Sequence, residues 1–386
     1  MIRKITCVLM IFAVLLSFSS CSTKSENYVR QLKDLSIVQG FGVDLDKGEF
    51  EVTMQIFNES NAEGFGQNLK GIITTTYSQT GETVAAAVSD SQRNYDKETF
   101  FGQNKIMIIS EDVAKRELSN VLDYYVREIG CRPDIQIAVT KKDAKSIIKA
   151  KCAGTPIPAE KIQKTLKNGE YNGKSIDMEL YSVLNDYKNP TSDIYLPVVK
   201  TFGKNDNNVT FDGIAVFKDD KLKGYLNNEQ TRGLLFINSK INSGNILIES
   251  AKFGKVTFNI SSSSTKKHVK INDEKVKLYV NINVNCVVSE MENGLSEKVS
   301  KADIKSLEEL ADEIVKKEVK SVLNICLKKY KSDVFDIGRM TSQKDYDFYK
   351  KNVKKWNNLL PETEYNVSVK CKVKRLDSEN QNKILS

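Results

Sequence analysis

The stretch from Val276 to Val288 constrains the fold more than any other part of the chain. Val276, Leu278, Val280, Ile282, Val284, Cys286 and Val288 share one face of an extended strand, while Asn281, Asn283 and Asn285 share the other. A period of two held this long excludes a helix; it demands a core on one side and water or a partner on the other. A long helix is predicted next, over about 301–329, with Ser300 and Asp303 at capping-box-like spacing. Its apolar stripe is Ile304, Leu307, Leu310, Ile314, Val319, Val322, Leu323 and Cys326. A second helix over about 344–357 carries Tyr346, Tyr349, Val353 and Trp356. In a last strand, Tyr365, Val367, Val369, Cys371 and Val373 alternate with Asn366, Ser368, Lys370 and Lys372. Strand, two helices and a returning strand make a sheet with helices packed on one face, an α+β unit.

Upstream, strand and helix signals interleave. Leu35 to Val43 and Phe50 to Phe57 flank Asp44-Leu45-Asp46-Lys47-Gly48, a hairpin turn; the string lacks the glycine register and distal Glu of a calcium loop. Strands are expected at about 105–109, 135–139 and 194–199, and helices at 110–129, 144–150, 159–166 and 175–187. The 110–129 helix would bury Leu118, Val121, Leu122, Tyr125, Val126 and Ile129. Strands over about 209–217 and 222–226 flank Lys218-Asp219-Asp220-Lys221 as a second hairpin with a solvated turn, and a helix begins at Asn228. Ser261 to Ser264 read as a loop.

The fold class is therefore α+β and multidomain, with mixed sheets and helices packed on them. The polar run Gly203 to Asn208 marks the boundary between an N-terminal α/β domain, 31–202, and a C-terminal α+β domain, 209–376. The latter offers a place for further division near 262–275, and 377–386 form a polar tail.

Residues 1–20 read as an export signal: Arg3-Lys4, an apolar run from Ile5 to Leu16, then small residues before Cys21. The run is shorter than the roughly 20 residues a spanning helix needs. A thiolate at Cys21 can take a diacylglyceryl group, so Cys21 is the expected lipidation site. Phe18 stands where such signals usually carry Leu. Residues 21–30 would be the lipidated tether, holding the mature chain on a membrane by acyl chains such as palmitate.

The net charge of +8, two of it in Arg3 and Lys4, suits an anionic bilayer surface or an acidic partner, and no Arg-rich block points to nucleic acid. Beyond Cys7 and Cys21, the thiols Cys131, Cys152, Cys286, Cys326 and Cys371 show no CxxC spacing and read mostly as buried, with their redox state open. His268 is the only histidine, which excludes a multi-His metal site and reads as a surface residue. Gly40-Phe41-Gly42 and Gly64-Phe65-Gly66 begin a phosphate-loop pattern without completing it. Glu308-Glu309 read as a solvated face, and Trp356 as packing. No catalytic residues, cofactor or metal are expected.

Residues 32–44, Leu32 to Asp44, then Phe211 to Leu226, Lys329 to Gly338 and the tail around Trp356 resemble, in order, the Ger(x)C family, the C subunits of spore germinant receptors. The resemblance spans essentially the whole mature chain; family members often carry Trp where Tyr28 or its neighbours stand here. It implies a non-enzymatic lipoprotein of sporulating cells, on the outer leaflet of the spore inner membrane. It also implies association with integral membrane A- and B-type receptor subunits that take the nutrient, with no direct small-molecule ligand on this chain. An extracytoplasmic solute-binding lipoprotein is the alternative, and it would need a cleft between similar lobes.

Overall fold

The computed structural model describes residues 34–58, 72–93, 97–128, 130–170, 173–272, 274–293 and 299–375. The chain divides into two compact units, Met1–Leu35 and Ser36–Ser386. Everything below concerns the second; Cys21, the tether, Gly64 to Gly66 and the tail lie outside the described residues.

The first sheet has nine strands: β1 (Leu35–Asp46), β2 (Glu49–Phe57), β3 (Thr74–Gly81), β4 (Glu98–Phe100), β5 (Ile106–Ser110), β6 (Gln136–Thr140), β7 (Tyr195–Phe202), β8 (Asn208–Lys218) and β9 (Lys221–Leu226). Their order is β3-β2-β1-β5-β6-β7-β8-β9, with β4 paired to β1. β1, β5, β6 and β7 run parallel and form the middle, and the outer pairings are antiparallel. Every residue of β5 and β6 is buried, as parallel strands covered on both faces require.

On one face lie α1 (Val84–Gln92), α2 (Glu111–Arg116) and α3 (Leu118–Arg127), whose Val113, Leu118 and Val121 share a core with Met107 and Ile109. On the other lie α4 (Ala144–Lys149) and α5 (Pro158–Lys167), whose Ile147, Ile148, Ala159 and Ile162 pack with Ile106 and Ile108. Gly40 and Gly42 permit this second layer: a Cβ on Gly42 would stand 2.8 Å from Ile148 Cγ1. Close helix approach is the reason for the glycines of that pattern.

The expected 110–129 helix is broken at Glu117, where the backbone leaves helical geometry. Within the second half Leu118, Val121, Leu122 and Tyr125 are buried, while Val126, at the margin of their stripe, is exposed; Ile129 is outside the described residues. The 175–187 helix starts only at Leu180, as α6 (Leu180–Lys188). Residues before it run extended beside β6, where Ile137 N donates to Met178 O at 3.0 Å. Gly203 to Asn208 is the turn joining β7 to β8 within one sheet, so the polar run there marks a hairpin corner.

The second sheet is β10 (Asn245–Ser250), β11 (Gly254–Asn272), β12 (Lys275–Met291) and β13 (Glu364–Arg375), in that order. The Ser261 to Ser264 loop is instead the middle of β11. Its serines pair with the asparagine face of β12: Ser261 Oγ donates to Asn285 O at 3.0 Å and Asn285 Nδ2 to Ser262 Oγ at 2.8 Å. Cross-strand partners override the weak strand preference of serine.

Helices α7 (Asn228–Ile237) and α8 (Lys301–Asn324) pack on its apolar face; a short π turn follows α8 over Ile325–Tyr330. Ser300 and Asp303 make the expected capping box. Beyond it come α9 (Ile337–Lys344), which the sequence reading did not separate, then α10 (Tyr346–Asn352) and α11 (Trp356–Leu359) in place of one helix. One continuous core runs from Val38 through Phe217, Leu235 and Val319 to Cys371.

Glu309 is exposed, as expected of a solvated face, but Glu308 is half-buried. Its Oε1 accepts from Val373 N at 2.8 Å, and Asp312 Oδ1 accepts from Cys371 N at 2.5 Å, so α8 occupies donors on the free edge of β13. An edge strand satisfied in this way no longer templates further pairing.

Candidate functional site

The family-like segments Phe211 to Leu226 and Lys329 to Gly338 meet in a buried charged joint. The second segment leaves α8 through the π turn, with Ser332 N bonded to Cys326 O at 2.9 Å. Lys331 takes a left-handed conformation. Ser332 Oγ then donates to Phe217 O at 2.7 Å, tying the segment to β8. Asp333 is fully enclosed, and its carboxylate accepts from the backbone of Phe335 (3.3 Å), Ile337 (3.0 Å) and Gly338 (2.7 Å) at the start of α9. Gly338 belongs there because a Cβ would stand 2.3 Å from Thr191 Cβ.

Asp193, just before β7, completes the joint. Its Oδ2 accepts from Asp333 N at 2.7 Å, and Lys218 Nζ reaches both its oxygens at 3.1 and 3.2 Å. Lys218 was expected in a solvated turn, but its side chain is only 8% exposed. The turn proper is Asp219-Asp220, both at positive φ, which places Lys218 inward on the last pair of the ladder. On the second sheet, Lys267 Nζ donates to Asn238 Oδ1 and Phe335 O, each at 2.9 Å, and lies 3.7 Å from Asp336.

Burial pushes the Asp333 carboxyl up to about 6 against three backbone hydrogen bonds that favour its charge. Burial also raises Asp186 to about 6, helped by the charge of Asp336. Asp193 is raised by burial although Lys218 opposes it, and burial lowers Lys267. Asp186, Asp193, Asp333, Asp336, Tyr195 and Arg339 surround a cavity of about 170 Å³. The carboxylates of Asp193 and Asp333 are committed to backbone N–H groups and the Lys218 ammonium, and Asp336 pairs with Arg339, an arrangement that fixes segments relative to one another. Among the described residues no three His, Cys, Asp or Glu side chains are placed to hold a metal. A second link joins the helices: Arg232 Nε donates to Glu318 Oε2 at 2.8 Å, and the bare Cα of Gly233 faces the Glu318 backbone.

The remaining sequence candidates are dispersed. His268 is exposed and stacks on Tyr279 at 4.9 Å. Asp44 is buried and accepts from Ala144 and Lys145 N at 2.6 and 2.9 Å, capping α4; the Lys47-Gly48 turn follows it. Cys152, Cys286, Cys326 and Cys371 are buried and Cys131 half-buried, all as free thiols. Burial pushes Cys131 up to about 12 and Cys152 up to about 11, away from nucleophilic character. Trp356 is core. A cavity of about 750 Å³ is an open groove of mixed polar and apolar lining whose Arg232 is already engaged by Glu318 and Asn245 O. Sequence reasoning missed Asp193 and Lys267 because nothing local distinguishes them from surface charges.

The chain matches two family models end to end, the spore germination protein N-terminal domain over residues 28–201 and the spore germination B3/GerAC-like C-terminal domain over 212–377. It belongs to the Ger(x)C family of spore germination proteins. Among its relatives, spore germination protein B3 of Bacillus subtilis (strain 168) is 21% identical over 352 residues, covering 89% of this chain and 92% of that protein. Spore germination protein GerQC of Bacillus cereus is 20% identical, covering 86% and 88%. The crystal structure of the GerBC protein matches the fold with a TM-score of 0.59 at 17% identity, covering 90% of this chain and all of that one. The multidomain α+β class is thereby established.

Proposed function

We propose that this chain is the lipid-anchored subunit of a germinant receptor, acting without catalysis through association with integral membrane subunits during spore germination. The observation that carries the reading is the pair of germination-family matches that together span 28–201 and 212–377. The boundary between the matches falls near the expected division at 31–202 and 209–376, while β8 and β9 complete the first sheet. Among the described residues no helix is long and apolar enough to cross a membrane. In this reading attachment is by a lipid on Cys21, on the outer leaflet of the spore inner membrane. Two acyl chains give stable anchoring where one is marginal. Confinement then raises the effective concentration against partner subunits.

Fractionation of spores carrying Cys21→Ala tests this reading. After a high-salt wash, which removes purely electrostatic attachment, the variant is expected in the soluble exported fraction while the acylated chain stays with the membrane, and the nutrient response is lost. A mature N-terminus other than a modified Cys21, or normal germination from the soluble fraction, contradicts it.

A further inference from the structure

The outward face of the second sheet carries a pattern that the buried joint does not use. Across β11, β12 and β13 the register sets Lys270 beside Lys277 and Glu364, His268 beside Tyr279 and Asn366, and Lys266 beside Asn281 and Ser368. The next rows are Ser264, Asn283 and Lys370, then Ser262, Asn285 and Lys372. Lys266, His268, Lys270, Asn281, Asn283, Lys370 and Lys372 are all exposed, because the helices pack on the opposite face. The flanking strands add little opposing charge: Glu364 is held by Lys277 at 3.0 Å, and β11 contains no acidic residue. Lys270 Nζ lies over the Tyr279 ring at 5.2 Å, and His268 stacks on the same ring.

We propose that this lysine and asparagine face docks on an anionic phospholipid bilayer, holding the protein flat against the membrane independently of any anchor. Sites for protein partners centre on apolar, aromatic and Arg anchors and are depleted in Lys. This face offers flexible ammonium groups spread over the rows from Ser262 to Lys270, about 26 Å at roughly 3.3 Å per residue. Diffuse headgroup charge needs no shape-matched pocket and attracts lysines near its surface. The neutral Asn and Ser side chains between them can exchange hydrogen bonds with phosphate oxygens. The inference rests on the anchored-subunit reading only for its setting.

The test uses the chain from residue 21 onward with Cys21→Ala, which keeps the whole compact unit from Ser36 and lacks the lipid. It should co-sediment with vesicles of phosphatidylglycerol and phosphatidylcholine, less at high salt, and not with phosphatidylcholine alone. Each Lys→Gln at 266, 270, 370 or 372 should lower the partition coefficient about five-fold, the equivalent of about 1 kcal/mol. Charge reversal of all four should abolish binding, while reversal of Lys316, Lys317, Lys320 and Lys328, exposed on α8 and the π turn, should leave it nearly intact. Thermal melts of each variant separate loss of binding from loss of fold. Equal losses in both sets, or equal affinity for neutral vesicles, overturn the proposal. No vesicle binding, with capture of the receptor subunits that the four sheet-face reversals abolish, assigns the face to an acidic protein and likewise overturns it. Either outcome leaves the Cys21 test standing.

Discussion

Asp333 shows how a single side chain can hold separate segments of a fold together. It accepts three backbone N–H groups while almost wholly buried. Asp333→Ala leaves those donors unsatisfied and should cost about 3–5 kcal/mol; Asp333→Asn keeps one acceptor and should cost less. Lys218→Ala strands the buried Asp193 carboxylate and should cost a similar amount. Denaturant midpoints measure all three. If Lys218→Ala melts like the wild type, the joint does not carry the two segments.

The same burial gives a pH signature. Asp333, Asp186 and Asp44 sit near 6 in the fold against an ordinary 3.8, so the folded state takes up protons first. The burial penalty is fully present above about pH 6 and is relieved as pH falls toward the unfolded value. Tm should therefore rise from pH 7 to pH 5. It should turn over near and below the ordinary carboxylate range, where groups held low, such as Asp212 beside Lys141 and Lys200, lose their charge. Melts across that range decide it: a steady fall in Tm from pH 7 to 5 contradicts these assignments.

At the scale of elements, the β8–β9 hairpin was legible because Gly and Asp-Asp mark its corners, but what it packs against was not. A Cβ on Gly224 would stand 2.4 Å from Tyr330 Oη and disturb its 3.2 Å bond to Tyr225 O. Gly224→Val should cost about 1–3 kcal/mol by overpacking. Asp219 holds a left-handed conformation, so Asp219→Ala should cost about 1 kcal/mol, more than an ordinary exposed site, while Asp219→Gly should be nearly neutral. Melting curves that rank Asp219→Ala above Gly224→Val in cost would refute this packing. Period-two strands such as β12 and β13 and the α8 stripe were read correctly, since one face of each is buried along its length. The serine run in β11 was misread because it depends on partners distant in sequence, and the break at Glu117 because the apolar stripe runs on past it without a Gly or Pro to mark it.

For the whole molecule, family segments in order along the sequence carried the identification, whereas the joint they build could not be foreseen. Asp193, Lys218, Lys267 and Asp333 come from four separate stretches, and only the folded chain brings them together. One core spanning both sheets makes the joint an internal brace of a single compact unit. The most direct measurement is isolation of the tagged full-length chain from detergent-solubilised spore membranes, with the co-isolated proteins identified by mass spectrometry. The account predicts two integral membrane receptor subunits in constant ratio to the chain, retained in Lys218→Met paired with Asp193→Leu if that variant folds. A chain that isolates alone from membranes fully competent in nutrient response would contradict it.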